Sequence, residues 1–217
     1  MAKSLRDRQK ELARSAILDA LADEVVERGA NNVSLQAVAD RAGVSHRTLY
    51  NYFDGRDALI DALMIDVATA GLDDAPVPIG PESIPDMDLT TIPEAIRHFF
   101  RSWDGQGNRA KAAFQVEAAR VSEGSTYANR IDRNIERLDH VVAEARPDLD
   151  PARRRAVVHV LRSMMSGRTW HRLVAEHGVD SAVAAEAAAW AFEELATALV
   201  AGRGPGVTPK APPPSSS

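Results

Sequence analysis

The sequence predicts an all-α fold of about nine helices in two parts. Three observations carry this. Nearly every patterned segment repeats its apolar residues at helical rather than strand period. Capping and stop residues bracket those segments. One proline-dense stretch interrupts them.

The elements follow in order. Residues 5–28 place Leu12, Ile17, Leu18, Leu21 and Val25 on one stripe, with Ala13, Ala16 and Ala20 in support and Gly29 as the stop. Asn31 and Asn32 read as turn residues. Ser34 is placed to cap a short helix, Leu35 to Arg41, by accepting a backbone N–H bond, and Gly43 ends it. Ser45 caps a second short helix, His46 to Phe53. A fourth begins at Asp54 or Gly55 and runs to about Gly71, with Leu59, Leu63 and Val67 spaced by four.

The composition then changes. Pro76, Pro78, Pro81, Pro85 and Pro93 fall within residues 73–93, too dense for a continuous helix. Loops of this length are a linker, a lid or disordered segments. The expected organisation is therefore a domain at 8–70, a Pro-rich linker at 71–92, a helical domain at 93–201 and a disordered tail at 202–217. Within the second domain the helices are Glu94–Trp103, Ala110–Ser122, Thr126–Arg146, a long segment from Pro151 to about Glu176, and a last helix to about Ala201, capped by Asp180 or Ser181.

Composition excludes whole classes of function. The 217 residues are 45% hydrophobic and 26% charged, enough for a core without staples. There is no cysteine, which removes thiol catalysis, iron–sulfur clusters, Cys-ligated zinc and disulfides. No apolar run reaches the ~18 residues of a membrane span, and residues 1–10 lack the apolar centre of a signal peptide. A cytoplasmic protein without a membrane partner is expected. The net charge of −5 excludes a uniformly basic coat but not a local one. Lys3, Arg6, Arg8, Lys10 and Arg14 face only Asp7 and Glu11 in the first 14 residues, a pattern that a solvated helix start also produces. Phosphate loops, the G-x-S-x-G elbow and H-E-x-x-H are missing, and the six histidines show no ligand spacing, so neither cofactor nor metal is expected.

Residues 34–53, SLQAVADRAGVSHRTLYNYF, are the informative stretch. Two short helices join through Ala42-Gly43-Val44-Ser45, the form of a helix-turn-helix. Val38, Val44, Leu49 and Phe53 are spaced to face inward. The second helix then shows His46, Arg47, Tyr50 and Asn51, with Ser45 and Thr48 at its edge. Arginine can bond guanine bidentately and asparagine can bond adenine. The hydroxyls can hold phosphates and fix register. Duplex DNA is the expected partner. An α-helical enzyme, or an adaptor in which the two helices only pack, is the alternative.

The same stretch, followed by Arg56-Asp57-Ala58-Leu59, resembles the DNA-binding domain of TetR-family transcriptional regulators. The resemblance covers roughly residues 8–70, carried by AGVS, TLYNYF and the charged pair before leucine. It implies groove and backbone contacts for Arg47, Thr48, Tyr50 and Asn51. It implies helix-start positions near phosphates for Ser34, Gln36 and Ser45, and a backbone approach for Arg56. Gly55 departs from the serine or asparagine of many members, which passes the cap of the fourth helix to Asp54. His46-Arg47 varies among members and leaves the operator open.

The resemblance also implies a ligand-responsive C-terminal domain and a homodimer through the last two helices. A repressor released from a palindromic operator by a small, hydrophobic effector is then the expected function. Phe99, Trp103, Phe114, Glu117, Met164 and Trp170 are the candidate pocket residues, each of the aromatics being equally readable as ordinary core. Glu117 stands out, because a carboxylate on an apolar helix must be paired, exposed or ligand-facing. Lys111 and Arg120 are the surface partners within reach.

Overall fold

A computed structural model describes residues 4–72, 75, 89–119 and 126–204, and these contain ten α-helices and no strand. Helix α1 spans Leu5–Arg28, and a single 3₁₀ turn at Ala30–Asn32 leads to α2, Leu35–Arg41. Helix α3 is His46–Tyr52 and α4 is Gly55–Thr69. Beyond the proline-dense stretch come α5 (Ile92–Gly105), α6 (Asn108–Ala119), α7 (Thr126–Ala145) and α8 (Pro151–Met164). A short α9, Gly167–Trp170, runs into a π-helical turn at His171–Glu176, and α10 is Ser181–Val200. Most of the Pro-rich linker, residues 73, 74 and 76–88, and residues 205–217 of the tail lie outside the described residues.

Local chemistry sets the helix ends. Ser4 Oγ accepts from Asp7 N–H at 3.1 Å and caps α1. At its other end Gly29 takes φ +83°, a value costly for any side chain. Only part of the expected stripe of α1 is core. Ile17, Leu18, Leu21 and Val25 are buried, but Leu12 is 71% exposed. The first two turns of α1 lie exposed, beyond the helices that bury the rest.

The expected single helix from Pro151 to Glu176 is broken. Met165 leaves helical geometry, and Ser166 Oγ accepts from Thr169 N–H at 3.2 Å to start α9 afresh. Thr169 Oγ1 donates to the Ser163 carbonyl at 2.6 Å, so hydroxyls replace the helix ladder across the break. The π-helical turn follows, closed by His177 N–H to the Arg172 carbonyl at 3.1 Å. Asp180, not Ser181, caps α10, accepting from Ala182 and Val183 N–H.

One continuous core joins α1–α4 to the later helices. Helix α6 lies on α1 and α4, α5 lies along α10, and α7 packs on α8. The aromatic centre is Trp103, Phe114 and Trp170. Trp103 and Phe114 meet edge-on at 5.1 Å between centroids, and Phe114 and Trp170 at 5.9 Å.

Candidate nucleic-acid interface and helical-domain cavity

The turn between α2 and α3 is held by the backbone. Ala42 N–H donates to the Val38 carbonyl at 2.9 Å and Val44 N–H to the Ala39 carbonyl at 3.0 Å. Gly43 between them has φ +67°, and a Cβ there would meet nothing within 4 Å. The conformation, not lack of space, asks for glycine. Val38, Leu49 and Phe53 are buried and Val44 packs partly buried against them, as their spacing predicts.

The other side of α3 is open. His46, Arg47, Tyr50 and Asn51 are exposed and Thr48 is half-buried. The rings of His46 and Tyr50 meet edge-on at 4.9 Å, which restrains both on one turn. Ser34 Oγ caps α2 through Ala37 N–H at 3.1 Å. Ser45 Oγ caps α3 through Thr48 N–H at 3.0 Å and lies 2.8 Å from Thr48 Oγ1. Gln36 is exposed and donates to Asp40 at 2.8 Å. Arg56 is half-buried and donates to the carbonyl of Ala30. Arg14 also turns inward from the basic start of α1. It stacks over the Phe53 ring at 5.7 Å and pairs with Asp66 at 3.5 Å. Arg41 fixes α2 to α1, with Nη2 2.9 Å from the buried Glu24 and Nη1 donating to Glu27 at 2.7 Å.

A cavity of about 100 Å³ lies among α4–α9. Phe99, Trp103 and Phe114 line it, as their positions predict. Glu117, Met164 and Trp170 do not, and the break after α8 explains the absence of Met164. Met165 leaves the helix and reaches the cavity, and Met164 stays half-buried against the core. Trp170 is a fully buried core ring whose Nε1 donates to Ser181 Oγ at 3.3 Å.

Glu117 stands beside the cavity, facing Tyr127 and Arg162. It forms no ion pair with Lys111 among the described residues, and Arg120 lies outside them. Burial pushes its carboxyl above the usual range, against the opposing pull of the Arg162 charge and the Tyr127 hydroxyl. Burial likewise raises the Tyr127 phenol.

The polar lining was not among the sequence candidates. Tyr127, Arg130 and Asn134 come from one side of α7 and Arg162 from α8. Their three-and-four spacing on α7 is visible in the sequence, but not which neighbour that side meets. Among the described residues no group of three acids or histidines could hold a metal, and no helix is long and apolar enough to cross a membrane.

A capped helix-turn-helix with an exposed second helix, carried on an all-α frame, has the form of a DNA-binding module. Residues 17–63 match the family model of bacterial regulatory proteins, tetR family. Over that segment the chain is similar to the DNA-binding domains of this family. Solved structures share its fold. NalD, the secondary repressor of the MexAB-OprM multidrug efflux pump in Pseudomonas aeruginosa, is similar at 19% identity and a TM-score of 0.61, over 86% of this chain and 96% of that one. A TetR-like transcriptional regulator from Rhodococcus sp. RHA1 is similar at 19% identity and a TM-score of 0.59, over 94% of this chain and 100% of that one. A TetR family regulator from Marinobacter aquaeolei VT8 gives 21% and 0.56, over 86% and 97%. No curated protein matches the sequence.

Proposed function

We propose that this chain is a cytoplasmic, homodimeric repressor that sits on a palindromic operator and leaves it when a small effector fills the cavity. The observation that carries the DNA half is the exposed row of His46, Arg47, Tyr50 and Asn51 on α3, beside two serine-capped helix starts. Arg47 and Asn51 suit base edges, and Ser34, Ser45, Thr48 and Gln36 suit phosphates. Arg56, held to the Ala30 carbonyl, acts by fixing the start of α4 beneath the motif.

Helices α8 and α10 support the dimer. Val160, Val183, Trp190, Leu195 and Val200 are exposed apolar residues on these two helices, and Trp190 is 63% exposed. Val157, Val160, Leu161, Leu195 and Leu199 line an apolar groove between them. A second copy covering this face would place two α3 helices on one side of a duplex, roughly 34–36 Å apart.

The test is selection of binding sites from a random duplex pool at moderate salt, using protein stripped of ligand by denaturation and refolding. The expected result is an enriched palindrome whose affinity falls steeply with salt. No enrichment overturns the reading and leaves the two helices as a packing unit.

A further inference from the structure

The cavity has one apolar wall and one ionic wall. Phe99 stacks on Trp103 at 5.7 Å between centroids, nearly parallel at 22°, and Phe114 closes the corner edge-on. Facing them are Tyr127, Arg130, Asn134 and Arg162, and no carboxylate is among the described lining residues. The two guanidiniums are under-compensated. Arg130 donates to the Ala68 carbonyl at 3.3 Å, and burial together with the charge of Arg133 disfavours its ionised form. Arg162 Nε is buried with no hydrogen-bond partner, and so is the indole N–H of Trp103. The acid facing Arg162 is Glu117, outside the lining, and burial raises its carboxyl above the usual range.

A buried cation without a paired anion is costly, and a ligand that brings the anion offsets that cost. Planar oxyanions match the guanidinium fork bidentately. The volume sets the rest. An engineered apolar cavity of ~150 Å³ holds one benzene, so a space of about 100 Å³ suits a single ring with slight widening. We propose that the effector is a small aromatic carboxylate, its ring against Phe99, Trp103 and Phe114 and its carboxylate at Arg162 and Arg130. This rests on the reading of the cavity as the effector site.

The experiment is calorimetric titration of the full chain at neutral pH with three probes of matched ring: benzoate, benzamide and benzylamine. Benzoate is expected to bind at least tenfold tighter than benzamide, and benzylamine weakest. Arg162→Met should erase the benzoate preference and leave benzamide binding in place, and Arg162→Lys should restore part of the preference. Should Arg162→Met not fold, Arg130→Met serves, with the same expectation. Equal affinity for the three, preference for benzylamine, or no binding of any probe overturns the proposal. DNA binding by the ligand-free protein, measured alongside on the selected duplex, separates two failures. Retained DNA binding without benzoate preference removes the ligand class alone. Absent DNA binding removes the regulator reading itself.

Discussion

Arg109, the second residue of α6, donates from Nη1 to Asp66 of α4 at 2.9 Å. Its Nε donates to Asp19 of α1 at 2.6 Å, and Nη2 to Ser15 Oγ, also at 2.6 Å. One guanidinium thus ties the helix that carries Phe114 and Glu117 to two helices that support α3. Asp66 also takes Arg14, which stacks on Phe53 at the end of α3. Arg109, Asp66 and Arg14 thus form a continuous chain of contacts from α6 to Phe53 at the end of α3.

Arg109→Met is therefore expected to uncouple cavity from operator. Hydrogen bonds to charged groups contribute roughly 1.5–3 kcal/mol. The Asp19 side chain is 60% exposed, so the loss is discounted to about 1–2 kcal/mol of stability. DNA affinity without effector should change little, while effector-driven release should weaken, since the coupling between sites is itself typically ~1–3 kcal/mol. Thermal unfolding and operator release by the effector, measured on the same preparation, check both halves. Full release from the variant removes Arg109 from the path.

Glu117→Gln should stabilise the protein at neutral pH and not in acid. The carboxyl of Glu117 is raised above its ordinary 4.5 in the folded state, chiefly by burial. The folded protein then holds a proton that the unfolded chain has released. That advantage is complete below about pH 4.5 and is lost as pH rises through the folded value. Glutamine removes the dependence. His171 is shifted the other way by burial, but it is common to both proteins and cancels in the difference. The variant should gain on the order of 1 kcal/mol at pH 7, the scale of one buried polar group, and nothing at pH 4. A gap independent of pH would show that the Glu117 carboxyl titrates alike in the folded and unfolded states.

Much of the helix-turn-helix was legible because its signals are local. Ser34 and Ser45 cap, Gly43 turns, and Leu49 and Phe53 share a face, all within twenty residues. Leu12 misled, since its spacing is helical but burial needs a neighbour, and spacing names none. The break at Met165 was illegible for a related reason. No proline marks it, and Gly167 just beyond it lies against Phe114, about fifty residues earlier in the chain, a contact that spacing does not reveal. The aromatic wall of the cavity could be guessed from type. The Arg130 and Arg162 wall could not, because surface arginines look the same in sequence.

That close approach gives a third test. A Cβ on Gly167 would lie 1.9 Å from Phe114 Cε1 and 2.0 Å from Cζ. The ring has Trp103 and Trp170 on its other sides and cannot retreat freely. Gly167→Ala should cost about 1–3 kcal/mol by overpacking. Trimming the ring in the double variant with Phe114→Leu should return part of it. Melting temperatures of the two single variants and the double decide this. Additive losses would show that the two positions do not press on each other.

Leu195→Glu tests the apolar face of α8 and α10. Leu195 is 39% exposed and lines the groove with Val157, Val160 and Leu161. A charge there costs the monomer little because it remains in water. In a dimer it would be buried unpaired. Sedimentation should change from dimer to monomer, with melting of the monomer nearly unchanged and palindrome binding weakened far more than half-site binding. A variant that remains dimeric places the interface elsewhere.

Arg47→Ala separates base reading from simple attraction. Arg47 is exposed on the second residue of α3, and no hydrogen bond or ion pair to a described residue holds its side chain. It is free to reach a groove. If it reads guanine, its loss costs roughly 1–3 kcal/mol on the selected palindrome and relaxes preference at one position in each half-site. If it only meets phosphate, affinity falls evenly across sequences and the salt slope drops by about one per site. Binding of the variant to the palindrome and to single-position changes of it, at two salt concentrations, tells these apart. The expected outcome is the first. Asn51, one helical turn further along the same exposed side, is placed for an adjacent base pair, so its alanine variant should relax a neighbouring position and not the same one.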